Sequence, residues 1–516
     1  MTPASDLPKR SLFSVALGNL AISAAGSILT YLSFVLVAYM FGATAQTDVF
    51  VFASGFVVVV AALITTVFSA VFLPLYIRLV HAGDQARAGA FANAFLFYLA
   101  ILSVCGAVII LLFPVHLFAV VSRFNLELLA DNERILRYFS IVFALTVLND
   151  YLRVLLQAKE AFVPAAQSIV LQPAVNVLGV WAMASIVGYE SLAISAAASR
   201  IVQFVFLLWR MKTVGCLPRP QLGAKSDMVE FLRVVKPFWL ASIISMMSVF
   251  FFDYVASGLP AGQLTALVFA QKIYTLPIAL LALPVIEVLN TRLSMLAASE
   301  QMDALGALYA VAMKVAMVVM VPLSVLMAFN SQEITSVLLG RGKYSAESLA
   351  ITAHALQVFS LVIPCIVLFT INGRVSLALH KTKMPSLFGS LGHLAMMGSV
   401  FVAVALFGYI GLPAAKLLVE VLYFLPFGFI IVWVYLPQAP IRSVFGELSK
   451  VIAASAISLL VVWGVLPLIS FVVSVPLLYL VFSCSLFLLV FIPLCLLIRL
   501  DSVALFTHWV LRRSVQ

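Results

Sequence analysis

The sequence predicts an all-α polytopic membrane protein, with 14 transmembrane helices in two pseudo-symmetric six-helix lobes followed by a C-terminal helix pair. Composition, the spacing of apolar runs and a short internal repeat carry that prediction. Hydrophobic residues make up 64% of the 516-residue chain, charged residues 10%, and the mean hydropathy is +1.18. Soluble domains carry about a quarter charged residues, so lipid is the solvent for most of this chain. Backbone polar groups in hydrocarbon must be satisfied by the segment itself, and runs of about 20 apolar residues do so as helices.

Apolar runs between polar or turn-rich breaks place a first series of spans near 11–40, 48–77, 88–113, 135–157, 165–187 and 191–210. A second series lies near 236–257, 264–291, 304–329, 348–377, 386–408, 411–436, 447–467 and 472–498. Lys9 and Arg10 precede the first run as they would in a signal peptide. That run extends over residues 11–40, well past an h-region of about 7–15 residues, and reads as a retained first helix. Orientation follows from Lys and Arg. Of the 30 in the chain, 21 lie in the N-terminus, in the connections after even-numbered spans and in the tail, against five on the other side: Arg123, Arg134, Arg137, Arg341 and Lys343. Both termini are therefore expected in the cytoplasm. Much of the net charge of +10 is then a topology signal and an attraction to anionic lipid. It is scattered over short loops, which argues against nucleic-acid binding.

The repeat pairs "AQTDVFVFAS" from Ala45 with "GQLTALVFAQ" from Gly262, an offset of 217 that aligns Gln46 with Gln263 and Val51-Phe52-Ala53 with Val268-Phe269-Ala270. Six spans separate the copies, an even number, so both halves keep one orientation. The expected organisation is an amino-terminal lobe over 1–212, a cytoplasmic linker over 213–235, a carboxy-terminal lobe over 236–436, and a helix pair with its tail over 437–516. Two such lobes facing each other would enclose a cavity in which intramembrane charge is tolerable.

"LLGRGKYSAESLAITAHAL" at 338–356 and "GRVSLALHKTKMPS" at 373–386 resemble the MviN/MurJ family of lipid II flippases, whose members show an "RG.F" turn before the tenth helix and an "R.FYA..DT+TP" segment after it. Ala270, Lys272, Pro277, Leu293 and Ser294 fit a third family segment, "FGATAQTDVF" at 41–50 is similar to "FGAG..TDAF", and "ASGLPAG" at 256–262 has its own counterpart. The matches run in order over about 40–435. The resemblance implies fourteen helices with a lipid-facing groove at the final pair, and movement of an undecaprenyl-diphosphate-linked saccharide across the bacterial cytoplasmic membrane by alternating access. It implies no cofactor and leaves coupling to the membrane potential or an ion open. Its partners are the lipid-linked substrate, the bilayer and cell-envelope biosynthesis enzymes, and the chain is expected as a monomer. The sequence also departs from the family. The helix 1 arginines fall on Ser27, Ser33 and Tyr39, and the helix 2 pair on the apolar run 57–63. An exopolysaccharide or O-antigen repeat-unit flippase, or a transport-inactive scaffold, are the alternatives this raises. Some members hold sodium with acids of helix 7 and polar residues of helix 11. Asp253 lies near the first position, but 386–408 contains no Asn or Asp, so no metal is expected.

The candidate substrate-binding residues are Lys272, Arg200, Asp48, Arg374, Asp253, Glu287 and Lys314. A Lys or Arg at mid-bilayer costs about 2.5–3.5 kcal/mol on insertion scales, so such residues face a bundle interior or an aqueous cavity. A diphosphate needs such positive charge. Lys272 and Glu287 are fifteen residues apart, about 22 Å along a helix and about 60° around it, so they share a face without pairing. For Lys272 the alternative is an ion pair with a neighbouring helix; for Glu287, solvation near the cytoplasmic end. Arg200 supplies amino-lobe charge or pairs with an acid, and Lys314 does the same or faces the groove. Asp48 and Arg374 match the family; an N-cap in the turn entering the second span and an orientation signal are their respective alternatives. Lys416 and Glu420, spaced i, i+4, neutralise each other.

Residues 116–137 are amphipathic and expected along the outer interface, and "RGKYSAES" at 341–348 starts a helix with Ser345 as N-cap. The outer segment near 114–134 offers only His116, Glu127, Asp131 and Glu133, without metal spacing, so no enzyme is expected. None of the five cysteines forms a CxxC pair or an extracellular framework, so the sequence supports neither zinc nor structural disulfides. A multidrug cation antiporter would want cavity acids and no final helix pair.

Overall fold

The computed structural model describes residues 9–222, 242–470 and 475–500. Among these, all regular structure is helical, as a backbone that must pair with itself in lipid requires. Contacts divide the chain into two units, Met1–Thr265 and Ala266–Gln516. The first contains α1 (Lys9–Phe41), α2 (Ala45–His81), α3 (Gln85–Leu112), α4 (Pro114–Val121), α5 (Leu126–Asp131), α6 (Glu133–Ala158), α7 (Phe162–Val187), α8 (Glu190–Thr213) and α9 (Ser242–Ala256).

In this unit α6 packs on α2, α3 and α8, and α7 on α1 and α8. Apolar faces gain little from leaving lipid, so association depends on close approach at small residues. A Cβ at Gly179 would lie 2.8 Å from Ser195 Oγ, and one at Gly26 3.2 Å from Ile169. The Tyr151 hydroxyl donates to the Ala92 carbonyl at 2.7 Å and pins α6 to α3. At the far end of α6, the Tyr76 phenol bonds Lys159 and holds its ammonium pKa above the ordinary lysine range. α2 opens with a reciprocal cap between Thr44 and Thr47. Where 116–137 was expected as one interfacial segment, the chain forms α4, α5 and the start of α6, because Ser122 and Asn132 end the first two after eight and six residues.

Gly262, just before α10 (Gln263–Pro277), has φ +85, and a Cβ there would lie 2.6 Å from the Ala43 carbonyl oxygen. Gly262→Ala is therefore expected to destabilise the protein by more than the ~1–2 kcal/mol of the left-handed backbone alone. Gly89→Ala, in open space on α3, is the control and should be neutral or stabilising by up to ~1 kcal/mol. Thermal unfolding in detergent checks the pair.

α10 runs through a π turn (Ile278–Ala282) into α11 (Leu283–Ala298); α12 (Met302–Phe329), α13 (Ser331–Leu339), α14 (Ala346–Ser360), α15 (Ile363–Ala378) and α16 (Lys383–Phe407) follow. α17 (Gly411–Val419) leads through a second π turn (Glu420–Phe424) into α18 (Leu425–Tyr435), and α19 (Ile441–Ser470) and α20 (Pro476–Leu497) complete the chain. Both π turns end two residues before a proline, Pro284 or Pro426. Proline lacks the N–H for the carbonyl four residues back and clashes with it. The turn ahead widens instead, with Leu283 N–H bonded to Ile278 O and Leu425 N–H to Glu420 O.

By length and apolarity, eleven helices among the described residues can cross a membrane, or twelve if α14 and α15 count as one span. The single span expected over 348–377 is thus two helices bent by 40°, broken where Pro364 enters. The expected total of 14 is higher partly because 383–435 is counted once, although it is 53 residues long. At 1.5 Å per residue that is about 80 Å, more than twice the ~30 Å hydrocarbon core. Gly408, at φ +58, separates α16 from α17 and the two pack together. The span expected over 236–257 is described only from Ser242. Ser345 caps α14 as expected, accepting from Ser348 N–H at 3.1 Å. α19 and α20 pack with α12 through Val321, Val451, Phe487 and Phe491, and Ser483 donates to Asn330 Oδ1 at 2.6 Å.

Candidate functional site

Charge inside the first unit collects on α6 and α8. Arg153 Nη2 pairs with Asp150 Oδ1 at 2.8 Å, one helical turn apart on α6, and Thr65 of α2 donates to the other carboxylate oxygen at 3.4 Å. Arg200 on α8 is partly buried, and Asp150 and Arg153 are the charges acting on it. Its Nη1 bonds Gln203 Oε1 at 3.2 Å. Asn149 donates to Gln203 Oε1 and the Arg200 carbonyl at 3.2 and 3.1 Å, and Gln203 Nε2 donates to Ser168 O at 3.0 Å. The amides fix the helices, Arg153 pairs with Asp150, and Arg200 lies within electrostatic reach of both. One positive charge is left in excess, the arrangement an anion would complete.

Asp48, 3% exposed, does not cap its own helix, whose N-cap is Thr44. It accepts from Gly262 N–H at 2.6 Å, Thr265 N–H at 2.8 Å and Thr265 Oγ1 at 2.5 Å. The carboxylate therefore satisfies the free amides at the start of α10, where the helix dipole also favours negative charge. Asp48 and Thr265 are equivalent positions of the internal repeat, 217 residues apart. Asp253 on α9 approaches α2, its Oδ2 3.1 Å from where a Gly55 Cβ would stand.

In the second unit Arg374 of α15 and Glu287 of α11 form a 2.6 Å ion pair. The Glu287 side chain is 58% exposed, so the pair contributes little to stability. Lys272 lies on α10, partly buried and six residues before the π turn. Lys314 is buried on α12, which packs on α19, where Glu447 is also buried. Lys416 sits 5.9 Å from the centre of the Tyr274 ring, with Glu420 one turn on. The five cysteines are free, and no cluster of three or more His, Cys, Asp or Glu that could hold a metal occurs among the described residues.

The structure thus brings together Arg374 with Glu287, and joins Arg200 to two residues that the sequence alone did not single out. Arg153 counted there as a cytoplasmic helix end, whereas it lies five residues inside α6. The i, i+3 spacing of Asp150 and Arg153 was the available signal.

The sequence profile described as lipid II flippase MurJ matches residues 37–490. The chain belongs to the MurJ family. A probable lipid II flippase MurJ of Aquifex aeolicus (strain VF5) is 27% identical over 452 residues, covering 83% of this chain and 84% of that protein. A second, from Rhizobium meliloti (strain 1021), is 23% identical over 208 residues, 40% of this chain and 38% of that one. Among solved structures, a lipid II flippase MurJ in an inward closed conformation matches with TM-score 0.77 at 19% identity, covering 95% of this chain and 99% of that one. An inward-facing multidrug transporter of the MATE family gives TM-score 0.66 at 15% identity over 81% of this chain and 98% of that one, a likeness of fold alone. MurJ membership makes this a multi-pass membrane protein of a flippase family, and the expectation of a transporter rather than an enzyme agrees with it.

Proposed function

We propose that the protein moves an undecaprenyl-diphosphate-linked saccharide from the inner to the outer leaflet of the bacterial cytoplasmic membrane by alternating access. Fourteen spans, both termini in the cytoplasm and a monomeric chain complete this reading. The observation that carries it is the excess positive charge of Arg153 and Arg200 over Asp150 inside the membrane-spanning helices of a MurJ family member. A diphosphate cannot cross hydrocarbon unaided, and guanidinium groups stabilise it by charge-assisted hydrogen bonds while the lipid tail stays in the bilayer. Lys272 is the corresponding cation of the carboxy-terminal lobe, a point charge without the bidentate fork of arginine.

A second reading concerns the cargo. Ser27, Ser33, Tyr39 and the apolar run 57–63 stand where the resembling family has arginines, which favours another lipid-linked saccharide, such as an exopolysaccharide or O-antigen unit, over lipid II. Translocation in vesicles, run in parallel with lipid II and with other undecaprenyl-diphosphate saccharides, tests both readings. Lys272→Ala should lower the rate about tenfold or more, the value of one charged contact of ~1.5–3 kcal/mol, and Lys272→Arg should restore most of it. No movement of any such lipid by the unmodified protein would leave the scaffold alternative standing.

A further inference from the structure

A slot in the second unit lies between α15, the start of α16 and the π turn leading into α18. Phe369, Phe388, Tyr423, Phe424 and Phe427 form its walls, and Asn372 and Ser376 its polar part. These two are 1% and 2% exposed and, one turn apart on α15, face the same way. Asn372 Oδ1 accepts from the Tyr309 hydroxyl at 2.8 Å, but neither Asn372 Nδ2 nor Ser376 Oγ finds a partner among the described residues. Ser376 differs from neighbouring hydroxyls. Ser360 and Thr370 donate to the carbonyl four residues back, each at 2.7 Å, the usual way a helix in lipid satisfies a hydroxyl.

Two unpaired polar groups buried in one slot point to an occupant that hydrogen-bonds to both. Aromatic faces supply no conventional acceptor, and Tyr423 already donates to Phe388 O at 3.0 Å. Size then limits the occupant. The cavity has about 30 Å³, against roughly 10–15 Å³ for a single water, so its enclosed part accommodates one or two waters. Gly373 and Gly389 both line the slot, and a Cβ added at either would meet no neighbouring atom within 4 Å among the described residues, so two of its sides are open space.

We propose that this slot is a water-binding site, in which one or two ordered waters accept from Asn372 Nδ2 and bond Ser376 Oγ. Water there hydrates the joint between α15 and the π turn at Glu420–Phe424, where three helices would otherwise meet on unsatisfied groups.

Brief X-ray radiolysis of the full-length protein in nanodiscs, followed by mass spectrometry, tests this, because radiolysed water oxidises the side chains beside it. Phe424, 4% exposed and lining the slot, should oxidise several-fold faster than Phe487, which is 0% exposed in the cluster shared by α12, α19 and α20. In protein shifted briefly into ¹⁸O-water, Phe424 should still incorporate ¹⁶O, the signature of a slowly exchanging internal water. Ser376→Ala should lower Phe424 labelling about tenfold, the ratio corresponding to one hydrogen bond of ~1.4 kcal/mol. Gly389→Leu, which adds bulk at a residue lining the slot, should lower it at least as far without removing either polar group. Phe424 labelling no faster than Phe487 would overturn the proposal. So would a co-purified lipid released by Gly389→Leu, which would make a lipid oxygen the occupant.

Discussion

Arg200→Ala is expected to slow the movement of a lipid-linked saccharide in reconstituted vesicles by about 10- to 100-fold, the loss of one charge-assisted phosphate contact of ~1.5–3 kcal/mol. Arg200→Lys should fall in between, since it keeps the charge and loses the planar fork. Asp150 pairs with Arg153 and acts electrostatically on Arg200, so in the proposed reading it opposes an anionic substrate, and Asp150→Asn should shift in the other direction and reach half-maximal rate at lower substrate content. The local fold should survive the first substitution. Asn149 bonds the Arg200 backbone carbonyl, and Gln203 keeps its bonds to Asn149 and Ser168. Equal thermal stability of the two proteins would establish that, and initial rates at several substrate contents would then report on binding. Wild-type rates for Arg200→Ala would remove Arg200 from the proposed binding surface.

The spans were legible because lipid leaves the backbone few choices. The run expected over 304–329 is α12, Met302–Phe329, and that over 411–436 ends with α18 at Tyr435. Interruptions were harder to read. Pro284 and Pro426 each lie within a continuous apolar run, and whether a proline kinks, breaks or widens a helix depends on neighbours that hydropathy does not record. The outer segment was read as one amphipathic stretch because its period is helical on both sides of Ser122. Pairings over long separations were out of reach. Glu287 and Arg374 are 87 residues apart, and Asp48 and Gly262 214. Arg153 shows a different failure: its place near the end of a span, on the side expected to be cytoplasmic, made it look like a topology signal, while Asp150 one turn earlier marked it as part of a polar face.

For Asp48 the two roles raised by the sequence, substrate contact and helix cap, predict different measurements. As a cap for α10, its carboxylate takes three hydrogen bonds in a buried setting. Asp48→Ala would strand the Gly262 and Thr265 amides, at ~1–3 kcal/mol each, and remove a charge that complements the helix dipole, a further ~0.3–1 kcal/mol. These terms add to about 2–7 kcal/mol, a range that reaches the upper end for a single substitution. Asp48→Asn retains one acceptor oxygen for Thr265 but turns an NH₂ group toward the Gly262 N–H, donor against donor. Unfolding temperatures in detergent should therefore fall in the order wild type, Asn, Ala. A substrate contact alone would leave that order flat and lower translocation instead, and an unchanged stability for Asp48→Ala would refute the cap. Since removal of Asp48 strands two amides that this carboxylate accepts from, the stability loss should persist in empty protein, before any lipid-linked saccharide is added.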